Sequence, residues 1–276
     1  MLKRCRPLLG TFVEITAERE GPIEAAFAAL EQVHRLMSAH ERGSDLSAIN
    51  RFAHLRAVPV HDWTARVLER ALYWARQSEG AFDPVRAGKA AAENRLLPRH
   101  SDQPEPQASH WTSLELRGRV VRLSKPGCVD LGGIAKGFAV DRAVDALRRE
   151  GCKRGLVNAG GDLRGFGDDA WPVTFVDPLA RRSVAALPLN NMAVATSAGL
   201  PDASGGLSFA HLGGRHPRWV SVSILASTAC DADALTKILW SAGDEGALLA
   251  AAGARALGIR NDGGVEEIGE AVEVAA

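Results

Sequence analysis

The sequence has no excess of either charge. Its 276 residues include 33 Lys and Arg against 33 Asp and Glu, so the formal net charge is zero. A nucleic-acid-binding surface normally appears as a basic excess, so this balance predicts no nucleic-acid partner. A phosphorylated small molecule stays compatible with the composition, because it needs only a local cluster of charge.

Cysteine pairs and long apolar runs are also lacking. The four cysteines form no C-x-x-C pair and lie near no histidine at zinc-ligand spacing, which predicts isolated reduced thiols. No run of about 18 apolar residues occurs, so no transmembrane segment is expected. The basic start MLKRCRPLLGTF is followed by no long apolar stretch and does not resemble a secretory signal. We therefore expect a cytoplasmic protein.

Three familiar motifs are absent as well. The chain has no G-x-x-x-x-G-K-[ST] phosphate loop and no G-x-S-x-G nucleophile elbow. Gly165-x-Gly167-x-x-Ala170 loosely matches the dinucleotide fingerprint. Trp171 and Pro172 follow it with a strand-like run where the fingerprint requires a helix, so the match is rejected.

Helical and strand patterns mix without regular βαβ alternation, which predicts an α+β fold. We expect one domain over residues 1–276, in which the polar, proline-rich stretch 94–110 is a surface excursion and 40–52 is a loop. Strands are predicted over 8–17, 153–159, 171–178, 193–199 and 219–227, with a hairpin over 113–124. Helices are predicted over 23–39, 63–78, about 137–150 and 231–254.

The stretch VDLGGIAKG, residues 129–137, puts glycines, an acid and a lysine at the entrance to a helix. Glycines let the backbone approach a ligand closely, and free N–H groups at a helix start favour phosphates. Lys136 would supply positive charge, and Asp130 would accept hydrogen bonds from a ligand. A plain glycine-rich turn with a solvated lysine and a capping aspartate fits this segment equally well.

Other segments have the same character, and each has an ordinary interpretation. Glycines and an acid follow a buried strand in NAGGD, residues 158–162, and two hydroxyls end a strand at Thr196 and Ser197. At the start of the 231–254 helix, Asp231 suits an N-cap, and Asp233 with Lys237 suits an i,i+4 ion pair.

The order of these motifs is more specific than any one of them. It resembles the FAD:protein FMN transferase (ApbE) family from about residue 7 to residue 240. The matching segments are Gly10-Thr11, Ser44-Asp45-Leu46 with Asn50, Gly80 to Pro84, Val129 to Gly137, Asn158 to Asp162, Ala195 to Ser197, His211, and Ala232 to Leu235.

The resemblance implies an α+β, ApbE-like fold, related to the T-fold, with mixed sheets, flanking helices and an FAD cleft. It implies transfer of FMN from FAD to a threonine hydroxyl of an acceptor protein through a phosphoester bond, with release of AMP and assistance by magnesium. Two alternatives stay open: an FAD pyrophosphatase that makes free FMN and AMP, and a non-catalytic FAD-binding protein.

The resemblance also implies roles for particular residues. The catalytic candidates are Asp233 and His211, one of which would accept the threonine proton. The FAD-binding candidates are Asn50, Asp130, Gly132, Gly133, Lys136, Gly160, Gly161, Asp162, Thr196 and Ser197. The metal candidates are the Gly133 carbonyl, Asp233, Thr236 and Lys237.

One of these positions departs from the family pattern. The family has a metal-ligating threonine four residues after the aspartate, where this chain has Lys237, with Thr236 one residue earlier. An ammonium group at that place would either repel Mg²⁺ or substitute for it.

Overall fold

The protein is described here from a computed structural model, which covers residues 1–85, 104, 107, 109–201, 207–209, 216, 218–242 and 246–269. Its residues group into two compact units. The first unit comprises Met1–Phe27 with Lys136–Ala276, and the second comprises Ala28–Ala135. The single domain expected over 1–276 stays a prediction. Most of the predicted excursion over 94–110 lies outside the described residues.

The strands, in chain order, are β1 (Leu2–Leu8), β2 (Thr11–Ala17), β3 (Val58–Pro59), β4 (Leu114–Arg117), β5 (Val120–Leu123), β6 (Gly155–Ala159), β7 (Asp162–Phe166), β8 (Trp171–Asp177), β9 (Arg182–Leu189), β10 (Ala193–Ala198), β11 (Leu200–Pro201), β12 (Leu207–Ser208), β13 (Trp219–Ala226), β14 (Arg255–Arg260) and β15 (Val265–Ile268). The helices are α1 (Glu20–Met37), α2 (Asp45–Phe52), α3 (Asp62–Gln77), α4 (Ala135–Arg149), α5 (Ala229–Ala242) and α6 (Gly246–Ala251), with a short 3₁₀ turn at Trp111–Ser113. Mixed helices and antiparallel sheets confirm the predicted α+β class.

One antiparallel sheet dominates the first unit. Among the described residues it runs in the order β1-β2-β6-β7-β10-β13-β14-β15. Strand β13 is buried along its whole length, because helix α5 packs against it and β10 and β14 pair with its two edges. The separate ribbon of β8 and β9 packs Val173, Phe175 and Leu189 into an apolar cluster with residues of β7, β10, β13 and β14. Burial of such side chains is the main driving force for this unit.

Helices α4 and α5 of the first unit meet at their N-terminal ends. A Cβ atom on Gly137 would lie 2.5 Å from the carbonyl carbon of Ala229, and closer still to its oxygen, so only glycine permits this approach. One turn later, the Asp141 carboxylate accepts hydrogen bonds from the N–H groups of Ala229 and Cys230 at 3.0 and 2.9 Å. Arg164 lies 2.7 Å from the same carboxylate. Asp141 thereby caps α5 from a neighbouring helix.

The second unit contains most of α1, all of α2 and α3, and the small antiparallel sheet β3-β5-β4. The hairpin predicted around Gly118 is confirmed by the pairing of β4 with β5. The predicted loop over 40–52 is wrong in its second half, which forms α2. Ser44 caps this helix by accepting from the Ser47 N–H at 3.0 Å, and Asp45 accepts from the Thr64 hydroxyl at 2.7 Å.

Two further elements differ from the sequence prediction. The strand expected over 8–17 is confirmed as β2 over Thr11–Ala17 but begins later than predicted, because Leu9 and Gly10, with φ of 56° and 73°, form the turn between β1 and β2. The helix expected over 231–254 is two helices, α5 and α6, and residues 243–245 between them lie outside the described residues. Asp231 lies inside the first turn of α5, and its N–H donates to the Thr228 hydroxyl at 3.1 Å, so Thr228 occupies the N-cap position and complements the capping by Asp141.

No disulfide joins any of the cysteines that the structure describes, in agreement with the predicted thiols. Within the described part of the chain, none of the helices is long and apolar enough to cross a membrane.

Candidate functional site

Four charged side chains of the first unit form a cluster. Lys136 lies in the first turn of α4, Asp162 begins β7, and Asp233 and Lys237 lie one turn apart on α5. The Lys136 Nζ is 2.7 Å from an oxygen of Asp162, and the Lys237 Nζ is 3.5 Å from Oδ1 of Asp233. Two ammonium groups thus face two carboxylates, and the formal charge of the cluster is zero.

The pKa values of the first pair reflect burial as well as charge. Burial, with the nearby Asp233 carboxylate, raises the pKa of Asp162 to about 6, although the Lys136 and Lys237 ammonium groups lower it in part. Burial disfavours the charged form of Lys136, but the carboxylates of Asp162 and Asp233 outweigh this and raise its pKa above the ordinary lysine value. The Lys136 side chain is 35% exposed, so a charged ammonium group is held where solvent or an anionic ligand can reach it.

Asp233 is the most enclosed member of the cluster, with a side chain 0% exposed. Its Oδ2 accepts a hydrogen bond from the Gly137 N–H at 3.2 Å. Its Oδ1 has no hydrogen-bond partner among the described residues, and the atom it faces is the Lys237 nitrogen. A buried carboxylate needs such compensation, because an isolated buried charge costs several kcal/mol.

A chain of hydroxyl groups fixes the position of the Lys237 ammonium. The Nζ donates to the Ser197 hydroxyl at 2.6 Å and lies 3.2 Å from the Thr236 hydroxyl. The Ser197 hydroxyl donates to that of Thr236 at 2.7 Å, and Thr236 donates to the backbone carbonyl of Asp233 at 2.7 Å. Both hydroxyl hydrogens are therefore committed within the chain.

A cavity of about 500 Å³ opens beside this cluster in the first unit. The polar residues of its wall include Lys136, Asn158 and Thr196. Apolar side chains of the wall come from β7, β8, β10 and β14. Its size and its mixture of an apolar wall with few polar groups are typical of small-molecule sites.

The glycine turn predicted to approach a ligand lines the same cavity. Gly160 and Gly161 have φ of 66° and 102° and connect β6 to β7. The Gly161 N–H donates to the Asn158 side chain at 3.0 Å. A Cβ on Gly160 would collide with the Thr11 side chain, so glycine is required there for space as well as for its backbone angles.

Four other predicted FAD-binding residues belong to the second unit. Asn50 holds the backbone of Val129 from both sides: its amide donates to the carbonyl at 2.9 Å, and its oxygen accepts from the N–H at 2.7 Å. The Asp130 carboxylate accepts from the Gly132 N–H at 2.8 Å and so closes the turn before α4. Gly133 follows in this turn. His211, the second catalytic candidate, lies outside the described residues.

Sequence reasoning missed Gly137 and Asp141 as positioning residues. Gly137 ends the quoted motif, and a glycine inside the first turn of a predicted helix was a usable signal of close packing. For Asp141 no local signal exists, because its partners at 164 and 229–230 are distant in sequence.

Mg²⁺ prefers oxygen ligands at octahedral geometry. Among the described residues, no group of three His, Cys, Asp or Glu side chains could hold a metal ion. The free oxygen of Asp233 already faces an ammonium group, and the hydroxyls of Ser197 and Thr236 are engaged by that ammonium and by each other. These residues fit an ammonium cation and do not fit Mg²⁺.

The fold and the site together define an α+β protein with a cavity whose wall includes the Lys136 ammonium group. The sequence model of the ApbE family matches residues 9–258, and the chain belongs to this family. The family resemblance seen in the sequence is thereby confirmed.

Curated relatives and solved structures agree with this assignment. The chain is 31% identical to the FAD:protein FMN transferase of Rhodobacter capsulatus, over 94% of the chain and 55% of that protein. It is 29% identical to the Haemophilus influenzae transferase, over 85% of the chain and 76% of the relative. It is 32% identical to the Treponema pallidum transferase, over 55% of the chain and 46% of the relative. The chain thus spans about half the length of two of these relatives.

Two solved structures share the fold over nearly all of both chains. The flavin transferase ApbE of Vibrio cholerae superimposes with a TM-score of 0.81 at 25% identity, covering 96% of each chain. The ApbE protein of Thermotoga maritima has a TM-score of 0.81 at 24% identity, covering 97% of this chain and 96% of its own. The ApbE-like α+β fold predicted from the sequence is confirmed.

Proposed function

We propose that the chain transfers FMN from FAD to a threonine hydroxyl of an acceptor protein and releases AMP. Membership of the ApbE family and the names of the curated relatives support this activity. The observation that carries the proposal is the Lys136 ammonium group, which lines the cavity and belongs to the same charge cluster as Lys237.

This charge suits the diphosphate of FAD. Splitting a pyrophosphate develops negative charge on the oxygens of the leaving phosphate, and fixed cations stabilise that charge in the transition state. The Gly160–Gly161 turn lines the same cavity, and the absence of side chains there lets a phosphate approach the backbone closely. The apolar wall from β7, β8 and β10 suits a flavin ring.

The proposed reaction balances as a simple displacement. The threonine oxygen forms a bond to the phosphorus of the FMN half, and the anhydride bond to the AMP phosphate breaks. The threonine proton passes to a base, and AMP leaves as the anion. A threonine hydroxyl is a weak nucleophile and needs such a base; our candidates are Asp233 and His211. The family resemblance implies magnesium, but the residues around Asp233 do not fit this ion, so no step of the proposed reaction involves it.

The test is to purify the chain, incubate it with FAD, and follow AMP and FMN by chromatography. In parallel, the chain is co-expressed with the acceptor protein of the Haemophilus influenzae relative, and protein-bound flavin is detected by fluorescence after denaturing electrophoresis. Release of AMP together with a fluorescent acceptor band is expected. Free FMN with AMP and no labelled acceptor would replace the proposal by an FAD pyrophosphatase. Bound FAD without AMP would replace it by a flavin-binding protein.

Variants of the two candidate residues identify the base that accepts the threonine proton. Asp233→Asn removes the buried carboxylate charge, and we expect AMP release to fall at least about 100-fold, the scale of losing one charge-stabilising group. His211→Ala tests the other candidate. Asp169→Asn, at an aspartate whose side chain is 79% exposed and pairs with Arg154, is the control and should behave as the parent chain. Full FMN transfer by Asp233→Asn would remove Asp233 from the reaction.

A further inference from the structure

We infer that the Lys237 ammonium is the built-in cation of this site, and that FAD cleavage by this chain requires no divalent metal. The inference rests on the proposed function and adds to it which group neutralises the diphosphate. It starts from a disagreement: the family resemblance implies a metal beside Asp233, whereas this chain places a lysine there.

The position of the ammonium is the first argument. The Lys237 nitrogen lies 3.5 Å from Oδ1 of Asp233, the carboxylate oxygen that has no hydrogen-bond partner among the described residues. The other oxygen is held by the Gly137 N–H. A cation recruited by Asp233 would bind at Oδ1, and the lysine already faces that oxygen.

The fixed geometry of the ammonium is the second argument. A long lysine side chain normally samples many rotamers, yet here its nitrogen donates to Ser197 at 2.6 Å and lies 3.2 Å from the Thr236 hydroxyl. Ser197 is itself oriented by its hydrogen bond to Thr236, and Thr236 by its bond to the backbone of Asp233. A cation oriented before the ligand arrives stabilises developing charge without reorganisation.

The charge balance is the third argument. Lys136 and Lys237 together match the charges of Asp162 and Asp233, so the four side chains are neutral without a metal. A divalent ion at Asp233 would face the Lys237 ammonium at short range and be repelled. The Lys237 side chain is 25% exposed, so part of it stays accessible from solvent.

Direct metal binding is the first measurement, because it does not depend on catalysis. Mn²⁺ is titrated into the parent chain without FAD and free Mn²⁺ is followed by electron paramagnetic resonance. We expect no binding in the millimolar range. In the Lys237→Thr variant the ammonium is gone and a hydroxyl faces Asp233, so we expect a Mn²⁺ site to appear. Stoichiometric Mn²⁺ binding by the parent chain would overturn the inference.

Catalysis is the second measurement. AMP release from FAD by the parent chain should be equal within about twofold in EDTA and in Mg²⁺. Lys237→Thr should become stimulated at least about tenfold by Mg²⁺. Lys237→Met, which keeps the bulk without the charge, should lose at least about 100-fold in both buffers. Activity of the parent chain that disappears in EDTA and returns with Mg²⁺, or parental activity in Lys237→Met, would each overturn the inference.

The controls separate the possible failures. Lys3→Thr removes an exposed lysine that pairs with Glu14 and should match the parent chain in both measurements. Circular dichroism melting verifies that each variant folds. The Mn²⁺ titration and the EDTA assay of the parent chain test the inference even if a variant fails to fold. If the parent chain releases no AMP in either buffer, the proposed function fails, and the Mn²⁺ titration still decides whether the site accepts a divalent cation.

Discussion

Replacing Gly137 by alanine gives a test in which two physical effects have opposite sign. Gly137 lies in the first turn of α4, and alanine is the better helix former by about 1 kcal/mol. If the space around it were open, Gly137→Ala would therefore stabilise the protein. The structure predicts the reverse, because a Cβ there would lie 2.5 Å from the Ala229 carbonyl carbon and 2.8 Å from the Cys230 nitrogen.

The magnitude follows from what must move. Both atoms belong to the backbone of α5, so the clash can be relieved only by separating the two helices. Overpacking of this kind costs about 1–3 kcal/mol. Separation also lengthens the hydrogen bond from Gly137 to Asp233 and those from α5 to Asp141, and each bond to a charged group contributes about 1.5–3 kcal/mol. Because these terms are not additive, we expect a net loss of about 3–5 kcal/mol after subtracting the helix-propensity gain.

Guanidinium unfolding followed by far-UV circular dichroism measures this loss. Gly43→Ala is the control: Gly43 is exposed, and its added Cβ would meet no heavy atom within 4 Å. We expect Gly43→Ala to change the unfolding free energy by no more than about 0.5 kcal/mol. A Gly137→Ala protein as stable as the parent chain would show that α4 and α5 do not approach as closely as described, and the positions of Lys136 and Asp233 would lose their support.

Three shorter predictions concern other buried polar groups. Lys136→Met should destabilise the protein more strongly as the pH rises, because loss of the ammonium group further raises the already elevated pKa of Asp162. The folded variant then keeps a proton above pH 6 that the unfolded chain has lost. In urea titrations at pH 6, 7 and 8, the loss of unfolding free energy should therefore grow by up to about 1.4 kcal/mol per pH unit. Asp141→Asn should cost about 3 kcal/mol in unfolding free energy, because a neutral amide cannot replace a carboxylate that caps α5; a loss below about 1 kcal/mol would contradict that role. Asn50→Leu should abolish both hydrogen bonds to Val129 and lower the thermal midpoint by several degrees, whereas an unchanged midpoint would exclude a structural role for this amide.

In the parent chain, too, the contribution of Asp162 to the unfolding free energy decreases as the pH rises. Burial raises the folded-state pKa of Asp162 above its ordinary value of 3.8, to about 6. The folded protein therefore binds the proton more tightly than the unfolded chain does. As the pH rises from about 4 to about 6, this group lowers the stability, and above that window its contribution is constant.

Local periodicity was enough to predict most helices and strands, since an amphipathic face or an alternating pattern is a property of neighbouring residues. The errors occurred where one or two residues decide the chain direction. At Leu9 and Gly10 a positive φ forms a turn inside the start of the predicted strand, and at Ser44 a capping hydroxyl begins a helix in a stretch rich in polar residues. The eight-stranded order of the first unit's described sheet depends on pairings between distant segments, which no local window contains.

The chemistry-bearing residues were visible in the sequence, but their partners were not. The motif around Lys136 predicted an anion site without indicating that Asp162 lies 2.7 Å from the ammonium. Likewise the hydroxyls of Ser197 and Thr236 are 39 residues apart in the chain and form one hydrogen-bonded pair. Such contacts arise because β10 packs against α5, a tertiary fact that spacing along the chain cannot supply.

Asp233 and Lys237 show why spacing alone leaves the function open. The i,i+4 spacing is the same for a solvated helical ion pair and for a functional cation held by a carboxylate. At an exposed site such a pair contributes only about 0.3–0.5 kcal/mol, and either residue can be replaced at little cost. Here the carboxylate is 0% exposed, so its charge must be compensated within the protein, and removing its partner leaves a buried charge that costs about 3–5 kcal/mol. Burial therefore turns an optional surface pair into an obligatory one, and it is the burial of Asp233 that makes the identity of residue 237 decide which cation the site uses.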